Sequence, residues 1–272
     1  MNVHELAASV RDLATLPDIY LRLRRLANDP ASTVGALAEV VSADAALSSR
    51  LLRLVNSPFY GLSSKVDSIA RAVNLIGTDE LCSLALVGSL DGMFSDLPAT
   101  VLDLKAYWWR NVLTALHARE LGRAGRVRGL DRLFVAGILH DVGRLAAAQQ
   151  MPTLATEVER QQHGPCDWQR QVAAFDFSYA ELGAELLGLW GMPQALVEPI
   201  ACQHQPARAE HCPVEAAVLH LATRIVSAPE GTADEDIAVE ADAWEQARLE
   251  PDVLDDVRER VAECAPEFRN LL

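Results

Sequence analysis

The sequence is poor in features that would set it outside a cell or across a membrane. Its five cysteines (Cys82, Cys166, Cys202, Cys212 and Cys264) are odd in number and form no C-x-x-C pair. That argues against a disulfide framework and fits a reducing compartment. No stretch reaches the ~18 uncharged apolar residues of a spanning helix, and the N-terminus has no apolar signal core. A soluble cytoplasmic protein with no membrane partner is expected. Bases are scarce: 24 Lys and Arg stand against 38 Asp and Glu, for a net charge of −14. Such a surface repels nucleic acid. One short arginine run, Arg119, Arg123, Arg126, Arg128 and Arg132, opposes that reading, and a solvated helix end with its loop accounts for it equally well. Walker A, GxGxxG and GxSxG motifs are lacking, and Ser57 and Ser178 have no nearby His–Asp arrangement for nucleophilic chemistry. Aromatics are few, at 6%, and period-two alternation never persists, so a β-sandwich is excluded.

What is present is helical. Half of the 272 residues are apolar and 23% are charged, enough for one large core or two modest ones. Leu21, Leu23 and Leu26 lie among arginines as on an amphipathic helix. Ser32 is an N-cap candidate for a helix carrying Val34, Leu37, Val40 and Val41. Asp44 opens another, with Leu47, Leu51, Leu54 and Val55 on its apolar face, which stops near Asn56-Ser57-Pro58. Ser68 to Leu75 forms a short helix closed by Gly77, and Thr78 caps the next. A long helix is expected from about Val101 to Gly122, with Trp108 and Trp109 pointing about 100° apart, so that one at most is fully buried. After a turn at Gly125–Gly129, a very apolar helix runs from Leu130 past Leu145. Gly183, inside the apolar stretch Ser178–Trp190, marks close helix packing, and a further apolar helix covers Val214–Val226.

The fold class expected is all-α. An N-terminal helical lobe (1–98) packs on a second helical lobe (99–228), followed by an acidic helical tail (229–272). In the tail, fourteen acids between Glu230 and Glu267 face only Arg248, Arg258 and Arg260. It reads either as a solvated appendage or as an acidic docking surface for a basic partner.

The most informative stretch is Ala136-Gly137-Ile138-Leu139-His140-Asp141-Val142-Gly143-Arg144-Leu145. A His-Asp pair in an apolar helix is costly, because a buried carboxylate needs a partner or a metal. Carboxylate with imidazole is also what divalent ions use to activate water in phosphohydrolases.

These residues, with others in order along the chain, resemble the HDOD group of the HD superfamily, over about residues 15–206. The resemblance rests on Leu16-Pro17, Asp44-Ala45, Leu51-Leu52-Arg53-Leu54-Val55-Asn56-Ser57, Tyr60, Ser68-Ile69-Ala70-Arg71-Ala72-Val73 and Leu75-Ile76-Gly77. Downstream it rests on Tyr107-Trp108-Trp109, Gly137 to Leu145, Tyr179 to Ala184, Trp190-Gly191-Met192-Pro193 and Gln203-His204. It implies an HD-like second lobe and a bacterial signal-transduction role among other signalling proteins, with a link to cyclic-dinucleotide pathways. Catalytic HD proteins are metal-dependent phosphohydrolases, and their ligand positions fall here on Asn111, His140, Asp141, Tyr179, Gln203, His204 and Thr223. Only His140, Asp141 and His204 keep ligand chemistry, and no Asp occurs between Asp176 and Asp234. HD-GYP enzymes are further away, with Gly-Lys where this chain has Gly143-Arg144.

The resemblance therefore implies a vestigial site (Asn111, His140, Asp141, Tyr179, His204, Thr223), no catalysis and no cofactor. His140 and Asp141 then serve structure, or retain metal through the fallback set His140, Asp141 and His204. The alternative is a phosphohydrolase acting on a nucleotide or cyclic dinucleotide with Fe, Mn or Zn, which needs His117, Glu181 or Glu185 as replacement ligands. Cys202, His204, His211 and Cys212 have the wrong spacing for a zinc knuckle. The loop after Asn56 either packs under itself, with Asn56 as a C-cap, or lines a groove between the lobes with Asn56, Tyr60 and Trp109. No receiver, cyclase or EAL-type segment is read in the chain, so the input is expected from another protein.

Overall fold

The computed structural model describes residues 2–13, 18–56, 64–78, 81–82, 84–86, 94, 97–160, 167–229 and 231–268. Among them there are helices and connections and no strand, so the all-α expectation holds. The chain divides into two compact units, one of residues 15–95 with 264–272 and one of residues 1–14 with 96–263.

The smaller unit holds α2 (Asp18–Ala27), α3 (Val34–Ser42), α4 (Ala45–Val55) and α5 (Ile69–Ile76). Their starts follow side-chain capping. Asp44 accepts from the Leu47 N–H at 2.9 Å, and Ser68 accepts from Arg71. The cap of α3 is Thr33, not Ser32: its hydroxyl accepts from Ala36 at 3.2 Å. Adjacent hydroxyls compete for one cap, and sequence alone does not choose between them. Gly77 ends α5 with φ 85°, a left-handed conformation that favours glycine. Thr78 is already helical, so it is not a cap.

The larger unit contains α1 (Val3–Leu13), α6 (Leu104–Ala124), α7 (Leu130–Leu139), α8 (Val142–Gln150), α9 (Pro152–Arg160), α10 (Asp167–Phe175), α11 (Tyr179–Leu189), α12 (Gln194–Ala201), α13 (Pro213–Ser227) and α14 (Ala243–Ala247). The last helix, α15 (Leu254–Phe268), starts in it. Helix α1, expected in the N-terminal lobe, packs on α11 and α8, because Leu6, Ala7 and Val10 form a fully buried stripe. The tail also departs from the appendage reading. Ile237, Ala243, Ala247, Leu249, Leu254, Val257 and Val261 are buried, and α14 packs on α13. Its acids occupy the outer face of an amphipathic segment whose inner face belongs to the core.

Two glycine contacts set the helix spacing around the His-Asp motif. A Cβ on Gly137 would lie 2.3 Å from the Ala115 Cα, which seats α7 directly on α6. A Cβ on Gly143 would lie 2.0 Å from the Tyr179 carbonyl oxygen, and Gly183 faces Gly143 from α11. The close packing expected at Gly183 is therefore the α8–α11 contact.

Candidate functional site

The apolar helix expected to run from Leu130 past Leu145 breaks at the motif. Helix α7 ends at Leu139, α8 starts at Val142, and His140 and Asp141 form the corner. A corner aims both side chains at one site, which an unbroken helix does not. His140 is buried, and its Nδ1–H donates to the Gly137 carbonyl at 2.7 Å, leaving Nε2 as an acceptor. Burial pushes its pKa down, against the pull of Asp141.

A cavity of about 420 Å³ opens over this corner, with His140, Asp141, Tyr179, Gln203, His204 and Thr223 in its lining. The sequence-predicted positions on α11, α13 and the turn after α12 thus converge. Asn111 lies beneath, fully buried, with Nδ2 donating to the Ile138 carbonyl at 3.1 Å. Gln203 ties the turn to the corner by donating to the His140 carbonyl at 2.8 Å. His220 ties it onward: its Nδ1–H donates to the Gln203 carbonyl at 2.8 Å, and its Nε2 accepts the Glu240 N–H at 3.0 Å. Accepting at Nε2 needs the neutral form, and burial lowers the ring's pKa to about 4. Burial, then the charge of Arg224, lowers His204 to about 3.

Asp141 is held by arginines. Arg110 on α6 donates to Oδ2 at 2.9 Å, and Arg144 on α8 lies 3.5 Å from the same oxygen. Arg144 also pairs with Glu159 on α9, which closes a set of two cations and two anions across three helices. Burial works against the Arg144 charge, but Asp141 and Glu159 more than offset it and raise its pKa. Burial likewise raises Glu159, opposed by Arg144. Around this set, the Tyr107 hydroxyl faces the Asn111 side chain, and the Tyr179 hydroxyl is buried without a hydrogen-bond partner. Burial, then the charge of Asp141, lifts the Tyr107 phenol well above its ordinary value.

A divalent ion at this corner would need several oxygen or nitrogen ligands around one point. Among the described residues no three His, Cys, Asp or Glu side chains are grouped to hold a metal. Asp141 faces two guanidinium groups, and Tyr179, Gln203 and Thr223 stand at the other positions, so the residues present do not fit the ion. The replacement ligands are committed elsewhere. His117 donates to the Leu113 carbonyl, Glu181 closes a capping box with Ser178, and Glu185 pairs with His4 on α1 at 2.6 Å. The Cys202–Cys212 cluster is organised by Glu198, whose buried carboxylate accepts from the backbone N–H groups of Glu210, His211 and Cys212 and from the His211 ring. Burial alone would raise that carboxylate, and these hydrogen bonds hold it below its ordinary value.

The groove residues fare differently. Asn56 spends its amide on the Leu52 and Val66 carbonyls and its oxygen on the Val66 N–H, which makes it a clasp after α4. Tyr60 lies outside the described residues. Trp109 is half-buried beside a buried Trp108, in line with the 100° argument. In the arginine run, Arg119 and Arg123 both pair with Glu120.

Comparison with known proteins agrees with this geometry. Residues 13–206 match the HDOD domain. The chain belongs to the HDOD family. An uncharacterized protein of Treponema pallidum (strain Nichols) is 26% identical over 208 residues, covering 74% of this chain and 40% of its own length. This HDOD chain thus spans less than half of that relative. A structure from Shewanella amazonensis SB2B, named as a candidate phosphohydrolase, superposes with TM-score 0.72 at 24% identity, over 96% of this chain and 97% of its own. One from Marinobacter aquaeolei VT8, named as a candidate signal transduction protein, gives TM-score 0.67 at 22% identity, over 96% of this chain and 60% of its own. At such identities the likeness shows the fold.

Sequence reasoning missed Arg110, Glu159, Trp168 and Arg224 at the site. A cation beside Asn111 in an apolar helix was the available signal for Arg110. Nothing local marks the tail residues Pro229, Thr232, Asp236, Ile237 and Ala238, which also line the cavity.

Proposed function

We propose that this HDOD chain is a non-catalytic module of bacterial signal transduction. It acts by protein–protein recognition on an HD scaffold whose metal site is degenerate. The observation that carries the reading is the pairing of Asp141 with Arg110 and Arg144. A divalent ion would have to displace a guanidinium from its only surviving carboxylate and then find few further ligands. The signal-transduction name of the Marinobacter structure agrees with that role, and the phosphohydrolase name of the Shewanella structure supplies the competing one.

The test is metal content by elemental analysis of protein purified without chelator, beside His140→Ala, together with phosphodiesterase assays in added Mn²⁺ or Fe²⁺. Metal well below one ion per chain, unchanged in the variant, and no turnover are expected. Near-stoichiometric metal that is lost with His140 would replace this reading with the phosphohydrolase.

A further inference from the structure

The cavity over the His140–Asp141 corner holds hydrogen-bonding groups that the fold leaves unspent. Its volume of about 420 Å³ is in the range of small-molecule sites, about 300–1,000 Å³. His140 has used only Nδ1, and burial keeps its ring neutral, so Nε2 is an acceptor. A buried acceptor without a partner calls for a water or a ligand. Helix α10 brings Trp168 and Gln171 to the same cavity, since residues three apart share a helix face. The Gln171 Oε1 accepts the Tyr179 N–H at 2.8 Å. That bond fixes the amide and leaves its NH2 group as a donor unspent among the described residues. The His204 ring is offset-stacked on Trp168, with centroids 5.6 Å apart and planes 11° from parallel, so part of the indole face stays uncovered.

Charge narrows the ligand. The lining holds as many carboxylates, Asp141 and Asp236, as guanidinium groups, Arg110 and Arg224. Arg110 is neutralised by Asp141. Arg224 donates its Nε–H to the Ala238 carbonyl at 2.6 Å and holds a further interaction. Burial keeps the His204 ring neutral as well. An ion of either sign would give up its hydration without gaining an unmatched partner, so an uncharged ligand fits. An acceptor and a donor beside an open aromatic face match a flat ring whose edge carries both an N–H and a C=O.

We propose that this cavity binds a small, planar, uncharged cyclic amide. Its ring lies on the indole of Trp168, its N–H donates to the His140 Nε2, and its carbonyl accepts from the Gln171 amide. The inference goes beyond the recognition reading. Binding is read on the isolated chain, so its failure leaves partner recognition standing, and failure to find a partner leaves this site standing.

Titration of the full chain with 2-pyridone, uracil, N-methyl-2-pyridone and benzoate, followed by calorimetry and NMR, tests it. At least one of the two N–H amides should saturate with Kd below ~1 mM. N-methyl-2-pyridone keeps the ring and the carbonyl but lacks the N–H, and it should bind about tenfold more weakly than 2-pyridone or worse. Trp168→Ala and Gln171→Glu should each weaken the amide by a similar factor. The second keeps an acceptor for the Tyr179 N–H and removes only the donor, and circular dichroism confirms that both variants are folded. The N-methyl comparison needs no variant, so it decides even where a substitution disturbs the fold. No saturation by either amide up to about 10 mM, N-methyl-2-pyridone or benzoate binding as tightly as the amides, or affinity unchanged in both folded variants would overturn the proposal.

Discussion

Arg144 shows how much of this site rests on charge pairing among side chains. It is largely buried, at 13% side-chain exposure, between Asp141 and Glu159. Removing one member of a buried ion set leaves its partners uncompensated, at a cost of about 3–5 kcal/mol. Arg144→Met keeps the packing volume and removes the charge, so it should lower the melting temperature by roughly 5–15 °C. Adding Glu159→Gln should recover part of that loss, since one orphaned carboxylate disappears. A melting temperature within 2 °C of wild type, a margin of about 1 kcal/mol or less, would mean that solvent already reaches the set. Arg110, half-exposed on its own side, should cost less when replaced by Gln.

At the scale of elements, several helix starts and stops were readable from local chemistry, although Ser32 and Thr78 did not prove to be caps. Asp44, Ser68, Gly77 and the α11 region with Gly183 all fell where capping and glycine signals place them. The break at His140–Asp141 was not readable, because Leu130 to Leu145 has unbroken helical apolarity and no Gly-Pro punctuation at the corner. What forces the turn is tertiary: α7 is pressed on Ala115, and α8 on the backbone of Tyr179. The same reasoning predicts opposite outcomes for two glycines. Gly143→Ala drives a methyl into the Tyr179 carbonyl, which neither helix can yield, and should destabilise by about 1–3 kcal/mol or more. Gly188→Ala, at an exposed position of the otherwise largely buried α11, meets nothing within 4 Å and should stabilise by up to ~1 kcal/mol. Chemical denaturation of both variants checks this, and equal effects would show that the α8–α11 spacing is not set at Gly143.

Across the whole molecule, the candidate site positions around His140 and Asp141 were legible because they are a list of residue types along the chain. The arginines that hold Asp141 and the tail that walls the cavity were not, since both depend on which distant segments meet. His220 records that meeting, bonded to the turn at Gln203 and to the tail at Glu240, and it makes stability depend on pH. Its folded pKa of about 4 lies below the ordinary value of about 6.5, and His204 at about 3 behaves alike. Between those limits the unfolded chain binds protons that the folded chain refuses. Stability should therefore be full above about pH 6.5 and fall as the pH drops towards 4, by up to about 3 kcal/mol from the buried His220. The raised carboxyls of Asp131 and Glu159 act in the opposite sense in the carboxylate range, so the histidine contribution is cleanest between pH 6.5 and 5. Denaturant melts across that window should lose stability with each step down in pH, and the His220 ring signal in NMR should stay in its neutral position to pH 5. A ring titrating near 6.5 in the folded protein would mean that the link from corner to tail is open in solution.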